Sequence, residues 1–297
     1  MAKKPMAEAN RISVMLRQVL GGDRFPIDVQ SLALEYSAQC FPNEPIKDIK
    51  PLALEGFEGM LASHKSKSKW MIAYNDQIRS PGRIRFTLAH EFGHYILHRS
   101  TRNEFQCSQQ DIYDWDAEEK VIETEADTFA SFLLMPLDDY RQQIQGQQIS
   151  IDLLGHCADR YGVSLMAAAL KWLEIAERRA VVVAVRDGHV LWARSNKAAF
   201  RSGAYLAAKK YTIEVPSSSL LARSVHVEGG EVATQKARLW FPKEPDDMPL
   251  IEMTYVLEGY YPYTLGLLLM PDAEWRRPED EDSLLTPVDA VMKRRQR

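Results

Sequence analysis

Residues 83–98, Arg83-Ile84-Arg85-Phe86-Thr87-Leu88-Ala89-His90-Glu91-Phe92-Gly93-His94-Tyr95-Ile96-Leu97-His98, form a proline-free run. Its apolar members Ile84, Leu88, Phe92, Tyr95 and Ile96 recur at three- and four-residue steps, which predicts an amphipathic helix with a core-facing stripe. The adjoining face carries Thr87, His90, Glu91, His94 and His98 and is expected to front a polar cleft. Within it, His90-Glu91-Phe92-Gly93-His94 is an H-E-x-x-H segment. Histidines four apart on a helix project from one face and can share a Zn²⁺, while Glu91, about a quarter turn away, reaches a water on the metal. That geometry belongs to hydrolases.

Catalytic zinc takes three protein ligands and keeps one position open. Leu97 and Ser100 stand where the extended metzincin motif needs Gly and His, so the third ligand must come from another element. Glu118 to Met135 reads as a second helix with the apolar stripe Ile122, Ala126, Phe129, Ala130 and Leu133. Glu125 falls inside that stripe, where a carboxylate is costly unless it meets a cation; Glu123 and Asp127 point the other way. Glu125 is therefore the expected third ligand. His98 is expected to cap its helix or support a ligand.

Two blocks, Arg85 to His98 and Glu123-Thr124-Glu125-Ala126-Asp127-Thr128-Phe129-Ala130-Ser131-Phe132-Leu133-Leu134-Met135-Pro136, occur in the order found in the ImmA/IrrE zinc metallopeptidases. Over roughly residues 10 to 175 the chain resembles that family. Phe92 stands where Leu is common and Asp127 where Asn is common, and neither change removes a ligand. The resemblance implies a gluzincin-like site in which His90 and His94 are ligands, a glutamate of the second block is the third, and Glu91 is catalytic. It also implies a target class: regulators, often repressors.

Composition fits a soluble intracellular enzyme. The 297 residues are 45% hydrophobic and 26% charged, enough for two domains with sizeable cores. A net charge of −4 argues against bulk nucleic-acid affinity. Cys40, Cys107 and Cys157 are odd in number and lack a CxxC spacing, which favours reduced thiols. The first 21 residues lack the apolar core of a secretion signal, and no apolar run is long enough to span a bilayer. A cytoplasmic location is expected, with no membrane partner.

Outward from the motifs, Ala7 to Leu20 and Ile27 to Ser37 read as packing helices, the second presenting Val29, Leu32, Ala33 and Tyr36 on one face. Gly59 to Ala62 and Trp70 to Tyr74 read as a hairpin across the turn Ser63 to Lys69, with Trp70 to Tyr74 as the expected open edge for an extended peptide. Arg99 to Asp116 is expected to form a lid, with Tyr113 a candidate oxyanion donor. Ile151 to Ala176 has the rhythm of a helix-turn-helix about Tyr161-Gly162-Val163-Ser164. Its second helix offers Leu165, Met166, Ala167, Ala168, Ala169 and Leu170, few of which could read base edges, so core packing is expected rather than DNA binding.

From Ala180 onward strands are expected at Val181 to Val185 and Val190 to Arg194, joined through Asp187-Gly188, and at Tyr211 to Val215, Ala237 to Phe241, Ile251 to Leu257 and Thr264 to Met270. Helical material is expected at Ala204 to Lys210. The acidic run Glu279 to Asp282 and the basic end Lys293 to Arg297 read as solvated tails.

The fold expected is α+β: a mainly helical zincin-like metallopeptidase domain with a small sheet at 1–145, a helical pair packing on it at 146–178, and an α+β sensory or substrate-selecting domain at 179–297. The function expected is that of a zinc-dependent endopeptidase acting on a regulator such as a repressor. Its Zn²⁺ would be held by His90, His94 and Glu125, and Glu91 would serve as the base. The competing readings are a zinc-binding regulator that does not cleave and a zinc amidohydrolase for small molecules; the presence of Glu91 favours chemistry.

Overall fold

The computed structural model describes residues 4–66, 68–108, 117–223, 230–257 and 262–272. Tyr113, Trp115 and both charged tails lie outside them. The chain divides into two compact units. One comprises the described residues through Gln145 together with Cys157–Ser164; the other comprises Gly146–His156 and the described residues from Leu165 onward. The architecture is α+β in both.

In the first unit, α1 (Pro5–Leu20) and α2 (Val29–Cys40) precede a sheet of β1 (Ile46–Leu52), β2 (Phe57–Ser63), β3 (Trp70–Asn75) and β4 (Glu104–Ser108). The long helices α3 (Pro81–His98) and α4 (Ala117–Leu134) are followed by α5 (Leu137–Ile144). Asp28 caps α2 by accepting from the Ser31 amide, and the face Val29, Leu32, Ala33 and Tyr36 is buried as its spacing predicts. Ser80 caps α3, and Pro81 occupies the first turn, where its missing N–H costs nothing.

The strand order is β1-β3-β2-β4, with β1 parallel to β3 and the other pairs antiparallel. The expected β2–β3 hairpin is present, with Leu61 opposite Ile72. The expected open edge is not: β3 is paired on both sides, and β1 and β4 are the edges. Register carries one row across the sheet, Ile49 beside Ile72, Ile72 beside Leu61, Leu61 beside Phe105. Opposed residues share a face, and Ile72, Leu61 and Phe105 are buried. That row ends at the candidate site.

A side-chain network closes the C-terminal side of this unit. In α6 (Ile151–Tyr161), Arg160 donates to both oxygens of Asp139 at 2.8 and 2.9 Å, and the Tyr161 hydroxyl donates to Asp139 Oδ1 at 2.7 Å. These bonds hold the Asp139 carboxyl below the usual range although burial alone would raise it. Arg85 of α3 reaches the carbonyl of Gly162, the residue that ends α6 at a φ of +60°. A side chain at Gly162 would collide with that guanidinium.

The second unit is built on α7 (Leu165–Ile175) and an all-antiparallel sheet ordered β6-β5-β9-β8-β7. The strands are β5 (Arg179–Arg186), β6 (His189–Ser195), β7 (Glu231–Lys236), β8 (Pro249–Leu257) and β9 (Tyr263–Met270). Asp187 and Gly188 form the β5–β6 turn with φ of 51° and 73°, the left-handed pair that a tight hairpin requires. Three expectations fail here. Tyr211 to Val215 makes only a bridge from Glu214 to His189, Ala237–Leu239 is a 3-10 turn, and the helix is α8 at Lys197–Arg201 rather than 204–210. Buried charges in this unit are paired: Arg179 with Glu244 at 2.7 Å, and Glu252 with the Ser219 hydroxyl and the Leu220 amide.

Candidate metal centre

Helix α3 is wedged between α2, α4 and the strands β2 and β3, so it is buried nearly all round from Thr87 to Ile96. The expected polar cleft is replaced by an enclosed site. His90 is 2% exposed, and Glu91 and His94 are 0% exposed. The polar face of α3 is covered because α4 crosses it closely. At Gly93 an added Cβ would lie 3.0 Å from the Phe129 ring and 3.3 Å from the Ala126 backbone. Two small residues, Gly93 and Ala126, therefore set the point of nearest approach.

That approach decides which acid joins the histidines. His90 Nε2 lies 3.0 Å from Glu123 Oε2, His94 Nε2 lies 3.3 Å from Glu123 Oε1, and the two Nε2 atoms are 2.9 Å apart. His90, His94 and Glu123 each present one ligand atom within 4.8 Å of the others. Glu125 is not in this group; its Oε2 lies 3.0 Å from His98 Nε2. The structure thus brings Glu123, rather than the expected Glu125, to the two histidines. At roughly 100° per residue, Glu123 sits about 60° from Ala126 and Asp127 about 100° on the same side, whereas Glu125 lies about 100° on the other. The whole apolar stripe of α4 was a poor guide to the contact line, and the small residue within it was the usable signal.

The outward ring nitrogens have their own partners. His90 Nδ1 lies 2.9 Å from Asp127 Oδ1, and His94 Nδ1 lies 3.2 Å from His98 Nδ1. A carboxylate only accepts, so His90 Nδ1–H donates to Asp127, and a cation replacing the Nε2–H that faces Glu123 would meet the Nε2 lone pair. Asp127 thus orients the His90 ring although the sequence pointed it elsewhere. Burial is the main cause that lowers the His94 pKa to about 4, keeping the ring neutral. Burial would raise Glu123, but hydrogen bonds from His90 and His94 bring its carboxyl down to about 2. A neutral imidazole and an ionised carboxylate are the forms a cation needs.

Glu91 is different in kind. Both carboxyl oxygens are buried without a hydrogen-bond partner, and burial pushes the carboxyl up to about 8, with His90 opposing and Glu123 adding to the rise. An orphaned acid next to a convergent His-His-Glu set fits a site that receives a cation. Space for the Glu91 carboxylate exists only because β2 has no side chain at Gly59, where a Cβ would lie 2.5 Å from Glu91 Oε1 and 2.6 Å from Thr87 Cγ2. Sequence reading missed both Gly59 and Phe105. The Phe105 ring stacks on His94 with centroids 4.6 Å apart and planes 19° apart.

Beside the group is a cavity of about 280 Å³ lined by Arg102, Glu104, Phe105, Gln106, Glu119, Ile122 and Glu123. Three of these come from the edge strand β4, so the strand bordering the site is β4 rather than Trp70–Asn75. The candidate lid is a strand as far as Ser108, and Tyr113 falls outside the described residues.

Among the described residues no helix is long and apolar enough to cross a membrane. No curated protein matches the chain. The paired motifs and the His-His-Glu cluster all fall within residues 49–173, which match the family model for the IrrE N-terminal-like domain, Peptidase M78; that segment belongs to this metallopeptidase family.

Proposed function

We propose that the first unit is a zinc-dependent endopeptidase that cleaves a regulatory protein such as a repressor. The observation that carries this reading is Glu91, a buried carboxyl with two unpartnered oxygens beside the His90, His94 and Glu123 ligand set. These three residues would hold the metal; when bound it would acidify a water and polarise a carbonyl. Glu91 accepts the water's proton and returns it to the departing amine, while Asp127 keeps the His90 ring oriented. Among the described residues β4 is an edge strand bordering the cavity, which suits an extended peptide better than a compact small molecule.

The second reading, a zinc-binding regulator that does not cleave, draws support from the burial of His90 and His94. A purely structural metal has no use for an orphaned base, which favours hydrolysis. The second unit holds no comparable ligand cluster among the described residues, and its proposed task is to select or regulate the substrate. A cytoplasmic setting is consistent with free Cys40 and Cys157. Incubating the zinc-loaded chain with candidate regulators, with Glu91→Gln as control, tests the proposal by mass spectrometry of fragments. Zinc-dependent cleavage by the wild type alone supports it. Zinc binding without any cleavage across peptide libraries favours the regulator.

A further inference from the structure

His90 has a carboxylate directly on its outward nitrogen, and His94 does not. His94 Nδ1 instead meets another imidazole, His98 Nδ1, at 3.2 Å, and His98 Nε2 in turn meets Glu125 Oε2 at 3.0 Å. His94 is fully buried, His98 is 6% exposed, and the Phe105 ring stacks on His94 and lies 6.1 Å from His98. Two facing Nδ1 atoms can share only one proton between them. Which ring holds it decides whether His94 can serve as a ligand.

We infer that Glu125 and His98 form a two-residue relay that fixes the tautomer and orientation of His94, so that its Nε2 lone pair faces the metal group. The inference rests on the proposed metal site. A carboxylate accepts and never donates, so Glu125 places the His98 proton on Nε2. In the neutral imidazole that leaves Nδ1 of His98 as an acceptor. His94 Nδ1 must then be the donor when a cation takes the place of the proton that His94 Nε2 shares with Glu123 in the metal-free chain. The same result reaches His90 in one step through Asp127, so the two ligands are set by relays of unequal length. Glu125, drawn toward a cation by the sequence argument, acts at one remove through His98. His98 and Glu125 are positioning residues.

The test is competition for zinc between the full chain and a chromophoric chelator, with folding checked by circular dichroism. His98→Asn keeps an acceptor in the place of Nδ1 but is smaller, whereas His98→Phe keeps the ring and removes the acceptor. The relay predicts that His98→Phe loses roughly 10- to 100-fold in affinity and that His98→Asn stays within a few-fold of wild type. Simple packing predicts the reverse order, and that result overturns the inference. Should His98→Phe fail to fold, Glu125→Leu against Glu125→Gln takes its place. Glu125→Leu must weaken binding and Glu125→Gln, which retains an acceptor, must not; equal affinities overturn the relay. Long-range nitrogen–proton NMR of the zinc-loaded protein must find His98 protonated on Nε2, and protonation on Nδ1 overturns it. A wild-type chain that binds no zinc defeats the metal site itself. Tight wild-type binding with unaffected variants defeats only the relay.

Discussion

Replacing Glu91 with Gln should reverse a pH-dependent weakness of the metal-free protein. Glu91 is fully buried and unpartnered, and burial lifts its carboxyl from 4.5 to about 8. A raised pKa means that the folded state holds the proton more tightly than the unfolded chain. The stability from this group is therefore complete below the unfolded value of 4.5 and is lost as pH rises through about 8. At about 1.36 kcal/mol per unit, the full loss is on the order of 5 kcal/mol, of which roughly 3 kcal/mol falls between about pH 5 and pH 8. Gln cannot ionise and suffers none of this. Whatever fixed difference the amide introduces, the stability of the variant relative to wild type should rise by roughly 3 kcal/mol over that interval.

The assay is unfolding in urea with a chelator present, followed at the α3 amides by hydrogen exchange so that the first unit is read separately from the second. Titrating groups common to both proteins largely cancel in the comparison. A variant-minus-wild-type difference that stays constant within about 0.5 kcal/mol from pH 5 to 8 would refute burial as the control on Glu91. Saturating zinc supplies a second check. A dication beside Glu91 favours its charged form, so the pH-dependent difference should shrink.

Zinc analysis of single variants separates the two acids of α4: Glu123→Gln should lose most bound metal, whereas Glu125→Gln should retain about one zinc per chain. The opposite pattern would return Glu125 to the ligand set. Gly59→Ala forces a methyl group against Glu91 and Thr87, so hydrolysis should fall at least tenfold while zinc binding changes much less; full activity would show that Glu91 need not occupy this position. Asp139→Ala removes the shared partner of Arg160 and Tyr161 and should destabilise the first unit by about 3 kcal/mol in urea unfolding.

Elements with a strong period were legible in the sequence, and those stabilised mainly by neighbours were not. Helix α3 carries its own stripe and cap, and the β2–β3 hairpin and the β8–β9 strands are rich in buried apolar residues. Strand β1 hides its nature. Its apolar positions Ile46, Ile49 and Leu52 recur every three residues, as on a helix, and Pro51 interrupts it near the end. Strand β4 places Phe105 between Glu104 and Gln106, both exposed, and so shows little apolar signal. Conversely, Tyr211 to Val215 alternates as a strand should, yet only Glu214 finds a bridge. Alternation marks a half-buried surface; ladder partners still have to exist.

The site was legible to the extent that its chemistry lies within one helix. His90, Glu91 and His94 are fixed by their spacing on α3, and no packing detail can separate them. The third ligand depends on how α4 rolls against α3, and a hydrophobic stripe fixes that roll only within a broad arc. Nearest approach is set by what is small. Gly93 meets Ala126, so the residues flanking Ala126 on one side, Glu123 and Asp127, meet the histidines together. Asp127 donates no metal ligand in this arrangement, yet it sets the proton on His90. The same acid block thus supplies one carboxylate to the metal group, one to a ring behind it and, through Glu125, one to His98. Three acids within five residues would repel one another on an isolated helix; here each meets an imidazole of α3, with Glu123 and Glu125 half-buried and Asp127 exposed.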